Sequence, residues 1–217
     1  MSKNLPGIIY TEDSGNTKNV VPIVDAFASL YQIPFFKDDE YFSNIDSYTK
    51  FIKGAEWEVR HSDRYSAYKK YLQNEAKLDH CQVFVEIGKD DADIEMHHGP
   101  VFTLYDYCTI ILEWFLLNHM KVTTFRIADV VLKEHEENHI QVVMLSTTIH
   151  EQVHNRGIFI SMDQAFGDIN AFIHKYYDAI GQELREKYNR YLDRSRVSDS
   201  NDYGLLELTG KIHATEE

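Results

Sequence analysis

Residues 103–119 run almost without a polar break: Leu104, Tyr105, Tyr107, Ile110, Ile111, Trp114, Phe115 and Leu116 fall within it. A helix that is apolar around most of its circumference has no face to offer water, so other elements must wrap it. This stretch therefore predicts a buried helix and a core built around it. Its longest apolar part, Cys108 to Leu117, is broken by Thr109 and Glu113 and is too short to cross a bilayer. The 217 residues, 43% of them hydrophobic, are enough to bury such a core without staples.

The rest of the chain supplies the wrapping. Gly7-Ile8-Ile9-Tyr10 reads as a short strand or extended arm, and residues 20–31 as a helix ended by Pro34. Residues 46–77 keep helical spacing at Tyr48, Phe51, Ile52 and Ala55, and Ser62 is the natural cap of a helix carrying Tyr65, Tyr68 and Leu72. Apolar residues alternate at 81, 83, 85 and 87, and Ile94 to His98 follows an acidic turn, so residues 81–98 predict a β-hairpin. Thr123 or Thr124 caps a helix that buries Phe125, Ala128, Val131 and Leu132. Residues 140–145 are extended, and a helix from Thr148 ends near Gly157.

From 161 to 194 one long helix is expected, with a narrow apolar stripe at 166, 169, 173, 176, 180, 184, 188 and 191. The stripe fits either the core or a second subunit, a homodimer through the C-terminal helix. The expected class is α+β. Residues 1–78 form an N-terminal helical cap, 79–160 a core with a helical insertion over 103–137, 161–195 a C-terminal helix, and 196–217 a polar flexible tail.

Charge narrows the function classes. Asp and Glu number 35 against 22 Lys and Arg, a net charge of -13. That counts against a protein that coats nucleic acid, because phosphate affinity comes from Lys and Arg. It leaves room for an enzyme with a local basic groove. Arg60, Arg64 and Lys69 are the candidate phosphate contacts, and a solvated helix face is the competing reading of the same residues. The two cysteines, Cys81 and Cys108, have no CxxC spacing, and the N-terminus has no apolar signal core. These features lead us to expect a cytoplasmic protein with two buried thiols and no membrane partner.

Two histidine pairs stand out. His97 and His98 end a short apolar run just before Gly99-Pro100, and His150 and His154 lie one helical turn apart. Neighbouring residues on a strand point to opposite faces, so only one of the first pair can join His150 and His154 on a metal. Three imidazoles leave a coordination position open for water or a phosphate oxygen, which marks a catalytic rather than a closed site.

Glu95-x-His97-His98 followed by Pro100, and Leu145-Ser146-x-x-Ile149-His150-Glu151-x-Val153-His154, resemble the motifs of the His-Asn-His (HNH) endonucleases, in particular the colicin-type DNases. The resemblance covers about residues 80–157. It implies a ββα-metal core, made of a β-hairpin and a short helix and embedded in a mainly helical domain, that cleaves phosphodiester bonds of DNA. Ser146 and Ile149 stand where part of the family has zinc-knuckle cysteines, so no structural zinc is implied. Carried over, His98 is the general base, His97, His150 and His154 hold one divalent metal (Zn, Ni, Mg or Mn), and Glu95 supports them. Asn138 is the candidate for the middle Asn that orients the base, with His139 and Gln141 as alternatives. The family also implies a phage or mobile-element origin.

Two rival readings remain. His150-Glu151-Gln152-Val153-His154 also matches the zinc-peptidase pattern HExxH, with Glu151 as base. The acidic charge also suits a catalytically silent binding or inhibitory protein on the same fold.

Overall fold

The computed structural model describes residues 8–11, 19–22, 37, 39–155 and 157–201. In chain order these form β1 (Ile8–Thr11), β2 (Asn19–Pro22), α1 (Asp39–Ser43), α2 (Ile45–Arg60), α3 (Asp63–Asn74), β3 (Ile94–His98), α4 (Leu104–Leu117), α5 (Thr124–Glu136), β4 (Val142–Ser146), α6 (Thr147–His154), α7 (Ile169–Tyr176) and α8 (Gln182–Asn201). Short 3₁₀ turns lie at Met162–Gln164 and Tyr177–Ala179. The architecture is α+β, mainly helical, and no helix of the described residues is long and apolar enough to cross a membrane.

As its composition requires, α4 is the centre of the main core, with Leu104, Tyr107, Cys108, Ile110, Ile111, Leu112 and Phe115 buried. Helices α2 and α5 pack against it. The helix starts where local chemistry allows. The Thr103 hydroxyl accepts from the Asp106 N–H at 3.2 Å and the Asp106 carboxylate accepts from the Thr103 N–H at 2.9 Å, satisfying two N–H groups that a helix end leaves without partners. Ser62 and Thr123 cap α3 and α5 through the Tyr65 and Arg126 amides. Cys81 and Cys108 are both free and buried, as expected.

The expected hairpin over 81–98 does not form. Residues 81–87 are bends and turns, and β3 pairs antiparallel with β4 instead, His98 opposite Val142 and Ile94 opposite Ser146. Gln82 closes the free edge of β4: its N–H donates to the Met144 carbonyl at 2.8 Å, and its side-chain carbonyl accepts from the Met144 N–H at 2.7 Å. The alternation at 81–87 has another cause. Cys81 is buried, and Val83 and Ile87 pack, in a satellite cluster with Val143, Leu145, Ile149, Ile158 and Ile160.

The ladder therefore separates two apolar clusters. Met96, Val142 and Met144 face the main core, while Val143 and Leu145 face the satellite cluster and α6. Alternation along a strand places Glu95 and His97 on the α6 side and His98 on the side of the helical core.

Three further expectations change. Val20 to Pro22 belong to strand β2 rather than a helix, and residues 23–31 lie outside the described residues. The single helix over 161–194 is divided into α7 and α8 with 3₁₀ turns beside them. Gly167 keeps a helix from running through it into α7, since its φ is +111° and a β-carbon there would lie 2.3 Å from the Ile140 carbonyl oxygen, and the 3₁₀ turn at Tyr177–Ala179 separates α7 from α8. The stripe that suggested a second subunit packs on the chain's own core, through Phe166, Ile169, Ile173, Tyr176, Ile180, Leu184, Tyr188 and Tyr191. Helix α8 continues to Asn201, beyond the expected start of the tail at 196, and residues 202–217 lie outside the described residues.

Candidate metal centre

Helix α6 follows β4 without a loop, and its first residue is tied back to the residue before β3, the Thr147 N–H donating to the Asp93 carbonyl at 3.1 Å. Ile149 and Val153 anchor one face of α6 in the satellite cluster. One position further round, His150 and His154 then face β3, because residues four apart share a helix face. The imidazoles of His97, His150 and His154 meet there, with one ligand nitrogen from each lying within 4.8 Å of the others. His97 packs edge-on against both partners, with ring centres 5.0 and 5.1 Å away.

Glu95, on the same face of β3, sets the chemistry of this cluster. Its carboxylate accepts from Nδ1 of His150 at 2.5 Å, which leaves the lone pair of His150 on Nε2. That Nε2 lies 3.0 Å from Nε2 of His154. Burial, reinforced by the two neighbouring imidazoles, lowers the pKa of His97 to about 4, so it is neutral near pH 7. A neutral imidazole flanked by a carboxylate-oriented one matches the donor set of a borderline cation such as Zn²⁺ or Ni²⁺ better than the oxygen-seeking Mg²⁺.

His98 stands apart from the three. It is 6% exposed, stacks on Tyr65 with ring centres 6.0 Å apart, and its Nε2 lies 2.9 Å from Nε2 of His135. Burial, with the repulsion that a second protonated imidazole at His135 would add and the charge of Arg60, drives its pKa well below the usual histidine value. Its remaining surface lines the same cleft as His97 and His154. It is thus a neutral imidazole beside the cleft, held from behind rather than standing freely in water as the motif suggested.

Asn138 does not orient it. Asn138 takes a left-handed conformation, φ 57°, just past α5, where its carbonyl accepts from the Asp168 N–H at 2.7 Å and its side chain from the Tyr68 hydroxyl at 3.4 Å. It holds the turn into β4. The alternatives are engaged too: Nδ1 of His139 pairs with the Glu134 carboxylate at 2.8 Å, and the Gln141 amide reaches the Met162 carbonyl at 3.4 Å. The partner of His98 is His135, which no sequence motif singled out. The available signal was its place: Ala128, Val131, Leu132 and His135 continue one buried stripe along α5.

The predicted phosphate contacts divide. Arg64 forms a fork onto Glu136 at 2.7 Å and reaches Asp129 at 2.6 Å, so it ties α3 to α5 rather than waiting for a ligand. Lys69 lies over the Tyr65 ring at 5.3 Å. Arg60 is half-exposed, 3.8 Å from Glu56, and its charge is felt at His97 and His98. Cations that sequence reasoning missed lie on α8: Lys187, Arg190 and Arg194 line the cleft with His97, His98 and His154. Lys187 also bonds Asp106 at 2.8 Å, and Arg194 lies over the Phe159 ring at 4.0 Å.

The peptidase pattern fits poorly. Glu151 is exposed on a helix of eight residues, and the third imidazole comes from an upstream strand rather than from downstream of the motif. No match exists among the curated proteins or among the solved structures. Residues 8–213 match the family of bacteriophage G278-like virion proteins, and the chain belongs to that family.

Proposed function

We propose that the chain is a metal-dependent endonuclease of the His-Asn-His kind, hydrolysing phosphodiester bonds of DNA. The observation that carries this reading is the meeting of His97, His150 and His154 across β3 and α6, with His98 bordering the same cleft. A divalent ion bound by these three imidazoles would stabilise charge on the phosphate and on the leaving 3′ oxygen. Glu95 orients His150 for that task. His98, neutral because it is buried, accepts the proton of the attacking water. Lys187, Arg190 and Arg194 give an otherwise acidic protein a local positive wall along which a polyanion can lie. Action inside the host cytoplasm suits a protein of phage origin.

The test is incubation of the full chain with supercoiled and linear DNA and Zn²⁺, Ni²⁺, Mg²⁺ or Mn²⁺. The expected result is metal-dependent nicking that His150→Ala and His98→Ala both abolish, with metal binding retained in His98→Ala. Cleavage that persists in EDTA, or equal nicking by His98→Ala, overturns the reading.

The description of the family as virion proteins favours a second reading, in which the same three imidazoles clasp a metal that only pins α6 to β3. Metal would then raise the unfolding midpoint without any turnover on DNA.

A further inference from the structure

We infer that His135 is the positioning residue for His98, holding it as the tautomer whose bare nitrogen is Nδ1. Nδ1 of His135 lies 2.8 Å from the Val131 carbonyl oxygen. A carbonyl only accepts, so Nδ1 of His135 must carry the proton. His135 is fully buried, and burial pulls its pKa down to about 4, so near pH 7 it holds one proton only. Its Nε2 is therefore a lone pair. Across 2.9 Å that lone pair faces Nε2 of His98, which must then be the donor. With its single proton on Nε2, His98 has its basic lone pair on Nδ1.

The surroundings hold this arrangement. Tyr65 stacks on His98 nearly parallel, at 8°, and meets His135 edge-on, while Tyr68 closes the other side of His135. Neither ring can turn over without breaking a buried hydrogen bond, an outcome that leaves a polar atom without a partner. His135 thus does for His98 what Asn138 was expected to do, and from a different element.

The kinetic arm of the test rests on the endonuclease reading, whereas the tautomer arm does not. Long-range ¹H–¹⁵N spectra of the full chain with ¹⁵N-labelled histidine should show His98 as the Nε2–H form. His135→Leu removes the acceptor and should lower DNA nicking about a hundredfold or more, the usual worth of a well-placed general base. Its Zn²⁺ affinity, measured by competition with a chromophoric chelator, should stay within twofold. His135→Gln, whose side-chain oxygen can accept near the place of the lost Nε2, should recover most of that loss. An Nδ1–H His98 in the wild type, or nicking by His135→Leu within twofold of wild type, overturns the proposal. If the wild type nicks nothing, the endonuclease reading fails and the spectrum still decides the tautomer. If His135→Leu does not fold, the wild-type spectrum and His135→Gln decide it.

Discussion

Gly99 lies so close to His97 that a β-carbon there would sit 3.0 Å from both Cδ2 and Nε2 of the imidazole. The residue after the histidine pair is therefore small for a reason, since any side chain pushes the ring away from His150 and His154. Gly99→Ala should weaken Zn²⁺ binding by about tenfold or more, the range seen when the support of a metal ligand is disturbed. Calorimetric titration measures this, and an unchanged circular dichroism spectrum separates it from unfolding.

Metal should also stabilise the fold. An ion that binds the native chain alone, at a hundred times its dissociation constant, adds about 2.7 kcal/mol. Urea unfolding with and without Zn²⁺ should show a gain of that order in the wild type and none in His150→Ala.

Acid should destabilise the protein through the buried imidazole pair. The pKa of His135 falls to about 4 in the fold against about 6.5 in an unfolded chain. Between those values the unfolded state binds more protons, so stability is complete above about pH 6.5 and is lost as pH falls toward 4. The slope should be about 1.4 kcal/mol per pH unit for this histidine. His135→Leu should flatten the dependence in urea titrations run across this range.

The basic residues should separate by role. Arg64→Ala should lower stability by about 1 kcal/mol or less, because its side chain is 40% exposed, and should leave DNA binding unchanged. Arg190→Ala should do the opposite, weakening DNA binding and reducing its salt dependence by about one counterion. Fluorescence anisotropy at several salt concentrations measures both.

Glu134 offers a test of the scaffold. It is fully buried, and its carboxylate accepts from Lys175 at 2.6 Å, the Tyr176 hydroxyl at 2.7 Å and His139 at 2.8 Å. Burial pushes its pKa up, and these three donors more than offset that, holding it below the usual range. Glu134→Ala should cost on the order of 2–3 kcal/mol, since it frees α7 from the end of α5 and leaves the buried Tyr176 hydroxyl without its acceptor. Chemical denaturation reads this directly.

The convergence of His97, His150 and His154 was legible because helix and strand periods are local. His150 and His154 share a face by spacing, and alternation admits only one of His97 and His98. Partnership was not legible in the same way. Alternation over 81–87 says which side chains are apolar but not which strand lies alongside, and Cys81 proved to serve the satellite cluster instead of a hairpin. The contact between His98 and His135 joins residues 37 apart in the chain, and no period marks it. The wall of Lys187, Arg190 and Arg194 was hidden for another reason: one helix was expected where the chain breaks at Tyr177–Ala179, and that break decides where α8 lies.

The pairing of β3 with β4 has a consequence for how the protein comes together. Helices α4 and α5 lie between the two strands in the chain, so the third imidazole reaches the other two only after that long loop closes. Non-local closure of this kind carries an entropic cost that is recovered only once the enclosed helices have packed. A peptide covering residues 142–154 alone would carry two of the three imidazoles. Metal capture by the three imidazoles would therefore be a late event that reports completed folding, and the short motif read in isolation understates what such a site requires.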